Sequence, residues 1–323
     1  MEYSITNLAV DNVGENVYVK AFAEGVEMEQ RENPLLVSVL FASYNHEKYV
    51  EAAIRSIMAQ EGVKFELIVI DDGSTDRSPA ILEKLQKEFD FQYIHRPNKG
   101  LVATMNELLT MARGKYFCSF ASDDIMPPKR LLLQSTFLAL HPLAAACFGQ
   151  VVPMDENGNV RTEKDARYLR SVPQVSFEES FLGKKALHGC SEMFVREKIL
   201  SVGGYDERYY FEDYPLFLKV LRCYGPQPVS ADIVCCYYRE HDVNMHRNTT
   251  KIYEEILRVL SDNYSNHALY RKAVNCWKAN WFSTLTMQDK KEALRRLPQL
   301  ASISFPFLKR LPKIFIPKRF LPY

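Results

Sequence analysis

The sequence lacks the features that mark several common classes of protein. Its 41 lysines and arginines are balanced by 40 acidic residues, so no nucleic-acid-binding surface is expected. No run of 18 apolar residues is present, which argues against a membrane-spanning helix. The N-terminal segment has neither the basic start nor the apolar stretch of a signal peptide. The sequence also contains no internal repeat and no low-complexity segment.

Cysteine is present, but not in a pattern typical of disulfides or zinc fingers. The number of cysteines is odd, and no two of them form a Cys-x-x-Cys pair. Most lie within apolar runs, where a free cysteine behaves as a small apolar residue. We therefore expect the protein to lie in the reducing cytoplasm. Peripheral attachment to the inner face of the plasma membrane is also compatible with this location. The cysteines are Cys118, Cys147, Cys190, Cys223, Cys235, Cys236 and Cys276.

Short apolar runs alternate with helical periodicity in the first half of the chain. Strands are predicted at 35–42, 65–70, 91–94 and 116–120, with amphipathic helices between them. This alternation is typical of a parallel sheet covered by helices on both faces. Ligands bind such sheets beyond the carboxyl ends of the strands, so the loops at 43–46, 71–76 and 122–125 should face one crevice.

The pattern changes after residue 128. Helices are predicted at 130–140 and 215–224, strands at 144–152 and 233–238, and a hairpin turn at 155–159. Residues 1–33 alternate weakly, as in a short extended segment. From about residue 251 the chain is mostly helical, and basic and aromatic side chains are interleaved near its end.

Two acidic pairs follow predicted strands. Asp71 and Asp72 open a turn; such a pair is most often only a turn, but a carboxylate there can accept a hydrogen bond from a nucleoside. Asp123 and Asp124, after Ser122, would be costly at the end of a buried strand unless they are solvated or bind a cation. Their oxygens suit Mg²⁺ or Mn²⁺ shared with substrate phosphates, and a polar helix cap is an equally good interpretation.

Two further polar segments lie in the second half. Glu212 and Asp213 precede Pro215 at the start of a helix, where an acid is a good N-cap or can accept a proton from an attacking hydroxyl. His241 follows the 233–238 strand in a polar loop. A surface histidine is the ordinary interpretation, and a neutral metal ligand is the alternative, with His246 as its rival.

The chain resembles the family 2 glycosyltransferases over roughly residues 35–245. No single motif is specific, but several motifs in the order found in that family make a strong joint argument. The motifs are Ser43-Tyr44-Asn45-His46, the 71–76 turn, Asn98-Lys99-Gly100 with Asn106, Ser122-Asp123-Asp124, Gly203-Gly204-Tyr205-Asp206-Glu207, Glu212-Asp213 and Tyr238-Arg239-x-His241.

The resemblance implies an α/β fold of the GT-A (Rossmann-like) type. It implies a mixed sheet with helices on both faces, plus a mostly helical C-terminal extension. Residues 1–33 would be an extended preface, residues 34–245 the catalytic domain, and residues 246–323 the extension with its basic aromatic tail. Within the catalytic domain, 34–125 would form the nucleotide-sugar half and 126–245 the acceptor half.

The resemblance also implies roles for individual residues. Asp213 would be the catalytic base, with Glu212 beside it, and Asp123, Asp124 and His241 would bind Mn²⁺ or Mg²⁺. Two positions depart from the family pattern, because Ala121 and Pro215 stand where acidic residues are usual. The donor-binding residues would be Ser43, Asn45, Asp71, Asp72, Asn98, Lys99, Gly100, Ser122 and Asp123.

The implied reaction is inverting transfer of a hexosyl or deoxyhexosyl group, such as rhamnosyl, from a UDP- or dTDP-sugar. The acceptor would be a glycan or lipid-linked glycan of a bacterial surface polysaccharide. Alternatives are a retaining enzyme, a silent nucleotide-sugar-binding scaffold, and a nucleotidyltransferase; the last usually needs a basic, glycine-rich phosphate loop, which the first strand lacks. Residues 302–323 suit either an anionic membrane surface or packing on protein, and residues 1–33 leave a homo-oligomer open.

Overall fold

The computed structural model describes residues 36–160, 173–241 and 248–316. These residues form a mixed sheet with helices on both faces, followed by a group of helices, as predicted. The strands are β1 (Val37–Ser43), β2 (Phe65–Asp71), β3 (Gln92–His95), β4 (Tyr116–Ala121), β5 (Ala146–Met154), β6 (Gln174–Val175), β7 (Glu192–Val195) and β8 (Gln227–Arg239). The helices of the sheet domain are α1 (Val50–Met58), α2 (Ser78–Glu88), α3 (Leu101–Met111), α4 (Arg130–Ala139), α5 (Phe177–Phe181), α6 (Arg196–Ser201) and α7 (Asp213–Tyr224).

The strand order of the sheet is β3-β2-β1-β4-β7-β5-β8-β6. Strands β3, β2, β1 and β4 pair in parallel, β7 pairs antiparallel with both β4 and β5, and β5 pairs in parallel with β8. Because β7 runs antiparallel to β4, and β5 runs antiparallel to β7, strands β5 and β8 run in the same direction as β4. Strands β1, β2, β4 and β8 therefore all end at the same edge of the sheet. That edge is where ligands bind in open α/β sheets.

The two faces of the sheet bury alternate residues of β1. Val39 and Phe41 pack with helices α1, α2 and α4 on one face, whereas Leu40 packs with α3 and α7 on the other. This alternation follows from the two-residue repeat of a strand. Because both faces are covered, β1 reads as a continuous apolar run, which is the signal that made it predictable.

The C-terminal helices cover one side of α7. They are α8 (Thr249–Tyr264), α9 (Tyr270–Gln288), α10 (Lys290–Arg295), α11 (Leu297–Leu300) and α12 (Phe305–Arg310), followed by a 3₁₀ turn (Leu311–Ile314). Leu218 of α7 packs with α8, and the Trp277 indole of α9 donates to the Phe181 carbonyl at 3.0 Å. Trp281, also on α9, is completely buried. The extension is therefore packed against the sheet domain.

Most predicted elements are confirmed, and the shortest ones were missed. Strands β6 and β7 contain two and four residues, too few for an alternating pattern to be read from the sequence. At the predicted 155–159 hairpin turn, one antiparallel bridge joins Met154 to Val160. The residues that follow Val160, up to residue 172, lie outside the described ranges. The 1–33 preface and His246 also lie outside them.

The end of the described chain is partly packed and partly exposed. Phe307 is buried against α9, while the Lys313 ammonium donates to the Ser283 hydroxyl at 2.8 Å. Ile303, Phe305 and Phe315 are exposed. Prolines divide this segment into short helical pieces, as the sequence predicted. No helix in the described ranges is long and apolar enough to cross a membrane.

Candidate active site

Three side chains meet at the carboxyl edge of the sheet. Asp123 follows β4, His241 follows β8 and His46 follows β1. The Nε2 atom of His241 lies 2.8 Å from Oδ2 of Asp123, and Nε2 of His46 lies 4.0 Å from the same oxygen. One potential ligand atom from each residue lies within 4.8 Å of the other two. One carboxylate and two imidazoles therefore converge on a space that can hold a divalent cation.

Neighbouring side chains fix both imidazole rings. Nδ1 of His46 lies 2.7 Å from the hydroxyl oxygen of Ser122, so its Nε2 faces Asp123. The Tyr49 ring stacks on His241 with centroids 5.0 Å apart. The Arg239 guanidinium covers the Tyr49 ring, 4.8 Å from its centroid. Proteins usually orient a metal-binding histidine through a neighbouring group that packs on its ring or forms a hydrogen bond with its other ring nitrogen.

The electrostatics favour the protonation states that bind metal. Burial lowers the pKa of His46 below its usual value despite the nearby charge of Asp123, so its ring is neutral near pH 7. Burial alone would raise the pKa of Asp123, but its hydrogen bond with His241 and the two neighbouring imidazoles hold that pKa below the usual value. A carboxylate and a neutral imidazole are the forms that bind a metal ion, and these shifts support those forms for Asp123 and His46.

Asp124 lies outside this cluster, although the sequence grouped it with the metal ligands. Its Oδ1 accepts a hydrogen bond from the backbone N–H of Arg239 at 2.8 Å, and its Oδ2 accepts from the Cys236 thiol at 3.3 Å. Burial and the adjacent charge of Asp123 raise the pKa of Asp124 well above its usual value. The side chains of Asp123 and Asp124 point in different directions, since one contacts His241 and the other contacts Cys236 and Arg239. The sequence of two adjacent acidic residues does not reveal this difference.

The loops after β1 and β2 are bound to each other. The backbone N–H of Asn45 donates to the Ser74 hydroxyl at 2.8 Å, and the Asn45 side chain accepts from the N–H of Thr75 at 2.8 Å. Asn45 itself is exposed and has a φ of 54°, a conformation that asparagine tolerates better than most residues. Ser43 is buried beneath them. The two loops are therefore adjacent at the carboxyl edge of the sheet.

Asp71 shapes the turn after β2. Its carboxylate accepts hydrogen bonds from the backbone and the hydroxyl of Ser74 at 2.8 and 2.7 Å, and lies 3.0 Å from Nδ1 of His95. It is fully buried. Gly73 has a φ of 81°, and a Cβ there would lie 2.7 Å from the backbone nitrogen of Asn98. Glycine is therefore required for the turn to pack on the loop after β3.

Asp72 anchors the start of α3. Its carboxylate accepts from the backbone N–H groups of Lys99 and Gly100, both at 2.9 Å, and pairs with the Arg96 guanidinium. The side chain of Lys99 is exposed and pairs with Glu107 at 3.0 Å. The structure therefore brings the predicted donor residues of β2 and the 98–100 segment together through Asp72.

The predicted base lies at the start of α7. Oδ1 of Asp213 accepts from the Tyr214 N–H at 2.6 Å, and a Cβ at Gly189 would lie 3.2 Å from Oδ2. Burial raises the pKa of Asp213, and burial together with the charge of Asp213 raises the pKa of Glu212 to about 7. As whole residues, Glu212 and Asp213 are half-buried. A raised pKa on a rigid helix edge is typical of a general base.

The Gly203–Glu207 motif is joined to α3 by Asn106. The Asn106 amide donates to the Tyr205 carbonyl and accepts from the Tyr205 N–H, both at 3.0 Å. Its NH₂ group also donates to the Glu207 carboxylate at 2.9 Å. These residues and Lys219 line a surface cleft of about 520 Å³. Two motifs about 100 residues apart therefore act as one structural unit.

Sequence reasoning missed two residues of the site. His46 was quoted within the Ser43–His46 motif but was not predicted to be near the metal; its position just after a strand was the available signal. Gly189 had no signal, because its role depends on contact with a residue of another element. The two departures from the family pattern are also placed: Ala121 is the exposed last residue of β4, and Pro215 is buried in the first turn of α7.

The sequence of residues 38–202 matches the model of glycosyl transferase family 2. That match covers just over half of the chain. The chain belongs to this family. The structure agrees, because the matched segment includes β1, β2 and β4 and the loops that follow them.

Named relatives are also glycosyltransferases. An uncharacterised glycosyltransferase of Methanocaldococcus jannaschii is 31% identical over 193 residues, which are 58% of this chain and 64% of that protein. One from Rickettsia typhi is 27% identical over 199 residues, covering 60% of this chain and 61% of that protein. The matches span less than two thirds of the length of each of these relatives.

Two solved structures share the fold. Residues 1–349 of S. aureus TarS, in complex with UDP-GlcNAc, give a TM-score of 0.59 at 16% identity, covering 88% of this chain and 82% of that one. The mannosyltransferase PcManGT of Pyrobaculum calidifontis, in complex with GDP-Man and Mn²⁺, gives 0.57 at 16% identity, covering 95% and 96%. Both likenesses concern the GT-A fold.

Proposed function

We propose that the chain transfers a sugar from a nucleotide sugar to an acceptor hydroxyl with inversion at the anomeric carbon. The observation that carries this proposal is the carboxylate of Asp123 beside the imidazoles of His241 and His46, with a second carboxylate, Asp213, at the start of α7. The segment that contains Gly189 and Cys190 lies near both carboxylates. A Cβ at Gly189 would lie 3.2 Å from Oδ2 of Asp213, and the Cys190 sulfur lies within 4.8 Å of a carboxylate oxygen of Asp124, the residue after Asp123.

The donor is a UDP- or dTDP-sugar, and a rhamnosyl or hexosyl group is transferred. Asn45 and the exposed edge of the 71–76 turn bind its base and ribose, while the buried Asp71 and Asp72 hold that turn in shape. Asp123, His241 and His46 would hold Mn²⁺ or Mg²⁺. When bound, the ion would neutralise charge on the leaving diphosphate.

Asp213 accepts the proton of the acceptor hydroxyl. As the hydroxyl oxygen attacks, its bond to the anomeric carbon forms and the bond from that carbon to the diphosphate oxygen breaks. Attack occurs on the face opposite the leaving group, which inverts the configuration. The acceptor is a glycan or a lipid-linked glycan of a cell-surface polysaccharide. The raised pKa of Asp213 and its rigid position on α7 support this assignment.

The test is release of nucleoside diphosphate from a panel of UDP-, dTDP- and GDP-sugars. Each donor is incubated with Mn²⁺, with Mg²⁺ and with EDTA, and with and without simple glycan acceptors. We expect one donor to be turned over only when metal is present, and to give a product of inverted configuration by NMR. A product of retained configuration would overturn the inverting mechanism. Absence of nucleotide binding by calorimetry in the presence of metal would overturn the whole proposal.

Two alternatives are separated by the same measurements. A catalytically silent scaffold would bind a nucleotide sugar without turning it over under any condition. A nucleotidyltransferase would form a nucleotide sugar from a nucleoside triphosphate and a sugar phosphate, with release of pyrophosphate. The raised pKa of Asp213 favours transfer over a silent scaffold, since a scaffold needs no general base.

The end of the chain docks the enzyme on the inner face of an anionic membrane. Ile303, Phe305 and Phe315 are exposed next to the exposed Lys309, and Phe307 holds the segment on α9. Exposed apolar side chains beside basic ones suit a bilayer interface that contains anionic lipids. Such docking fits an acceptor carried on a lipid.

A further inference from the structure

A second group of potential metal ligands lies behind the candidate active site. Asp124, Cys190 and Cys236 each place one ligand atom within 4.8 Å of the other two. The Cys236 sulfur lies 3.3 Å from Oδ2 of Asp124. All three residues are buried, and none was grouped with another by the sequence, because they are far apart along the chain. We name them the thiol cluster.

The spacing of the thiol cluster fits a tetrahedral ion. Zinc binds sulfur at about 2.3 Å and carboxylate oxygen at about 2.0–2.2 Å, so donor atoms of one tetrahedral site are separated by roughly 3.3–3.8 Å. The measured sulfur–oxygen distance of 3.3 Å lies in this range, and the other separations require adjustments of an ångström or less.

His188 lies beside the thiol cluster, and its Nδ1 is 3.0 Å from the Cys190 sulfur. Its ring nitrogens are not within 4.8 Å of all three cluster atoms, so the ring must turn towards Asp124 and Cys236 to act as a fourth donor. Two thiolates, an imidazole and a carboxylate form a ligand set that selects a borderline or soft cation such as Zn²⁺ over Mn²⁺ or Mg²⁺.

The thiol cluster also joins the elements that build the active site. Asp124 is next to Asp123, Cys190 is next to Gly189, and Cys236 lies on β8 a few residues before His241. A cation bound here would connect the loop after β4, the 3₁₀ turn Gly189–Ser191 and β8. It would therefore fix the separation between the candidate base and the other cation site.

We propose that Asp124, Cys190 and Cys236, with His188, form a second metal site that binds Zn²⁺ and has a structural role. Binding displaces the two thiol protons to solvent and leaves two zinc–sulfur bonds, with no change of oxidation state. The site does not depend on the proposed glycosyl transfer, because its ligands are distinct from those of the Asp123 cluster.

The test is metal analysis of the full chain, purified without added metal and in reducing buffer. We expect bound zinc by mass spectrometry of the metal content. We also expect that Co²⁺ replacing it gives the intense absorption of a tetrahedral cobalt–thiolate centre. Cys190→Ser and Cys236→Ser should each lose at least about tenfold in zinc affinity, measured against a competing chelator.

Matched controls separate the two cation sites. Cys118→Ser, which changes another buried thiol, and Asp123→Asn, which changes the other site, should both keep the cobalt–thiolate absorption. If the cysteine variants fail to fold, the wild-type protein still decides the question. A zinc-selective chelator should then lower its melting temperature, and zinc should restore it. Absence of zinc and of the cobalt–thiolate absorption in the wild type would overturn the proposal. A Cys190–Cys236 disulfide that persists in the reducing buffer would also overturn it.

Discussion

The carboxylate of Asp213 lies against the backbone of Gly189, so closely that a Cβ at position 189 would lie 3.2 Å from Oδ2. That distance is below ordinary van der Waals contact, and any side chain at this position must push the carboxylate away. The two residues belong to different elements, since Asp213 begins α7 and Gly189 precedes β7. Asp213, the candidate base, can therefore occupy its position because residue 189 is a glycine and has no side chain.

We expect Gly189→Ala to impair turnover while donor binding is kept. The added methyl group displaces the Asp213 carboxylate by a few tenths of an ångström, and a displacement of about 1 Å can cost 10²-fold. The prediction is therefore a smaller loss of kcat, of about 3- to 10-fold, with the donor KM within about twofold. Steady-state kinetics on the best donor measure it. A clearly lower melting temperature together with the lower kcat would instead indicate a general folding defect.

Removal of the charge on Asp213 should abolish transfer. Asp213→Asn keeps the size of the side chain and its hydrogen bond from Tyr214, but cannot accept the proton of the acceptor. We expect a loss of about 10²- to 10⁴-fold in kcat, with donor affinity by calorimetry unchanged. Asp232→Asn, at an exposed position of β8, is the matched control and should behave like the wild type. Near-normal transfer by Asp213→Asn would move the base to Glu212.

The pH dependence should report the ionisation of Asp213. A general base works when ionised, and burial raises the pKa of Asp213, so activity should rise with pH through a value above that of an ordinary aspartate. Burial together with the charge of Asp213 raises the pKa of Glu212 to about 7, so Glu212 is still protonated and uncharged while Asp213 ionises. We therefore expect Glu212→Gln to leave the acidic limb of kcat/KM in place. A limb that moves to lower pH in this variant would assign the base to Glu212.

Much of the fold could be predicted because its signals are local. Strand β1 and helix α3 have uninterrupted apolar patterns, and each strand end carries polar residues that mark the ligand edge. Strand β7 has only four residues, and its pairing with β4 and β5 depends on segments distant in the chain. Such pairings leave no periodic trace in one sequence.

The sequence pointed to individual candidate residues, but not to all of their grouping in space. Asp123 and His241 were expected to meet, and the structure places their side chains 2.8 Å apart. Asp124 was grouped with them because it is adjacent in sequence, whereas its carboxylate faces Cys236. Direction at the end of a strand depends on the local turn, so adjacent letters gave no information on which acid faces the crevice.

His46 should contribute to cation affinity. Its Nε2 lies 4.0 Å from Oδ2 of Asp123, and its ring is neutral near pH 7 because burial lowers its pKa. We expect His46→Ala to weaken Mn²⁺ binding at least about tenfold, as measured by electron paramagnetic resonance with the nucleotide present. His141→Ala, at an exposed position before β5, is the control. Equal affinities of these two variants would exclude His46 from the cation site.

The exposed aromatic side chains near the end of the chain should govern membrane binding. Phe305 and Phe315 are 77% and 83% exposed, so their replacement by serine removes no core packing. Partial burial of each ring in a bilayer is worth on the order of 1 kcal/mol or more, so the double variant should lose about tenfold or more in partitioning. Sedimentation with vesicles of phosphatidylcholine, with and without phosphatidylglycerol, measures it.

Controls separate docking from folding in this experiment. Leu143→Ser changes an 88% exposed apolar residue before β5, and should bind vesicles like the wild type. Because Phe307 and Lys313 hold the segment on α9, the melting temperature of the Phe305→Ser/Phe315→Ser variant should also equal that of the wild type. Binding should weaken as salt rises, since basic residues near anionic lipids act over a Debye length. Wild-type protein that stays in the supernatant with anionic vesicles would show that this surface contacts protein instead.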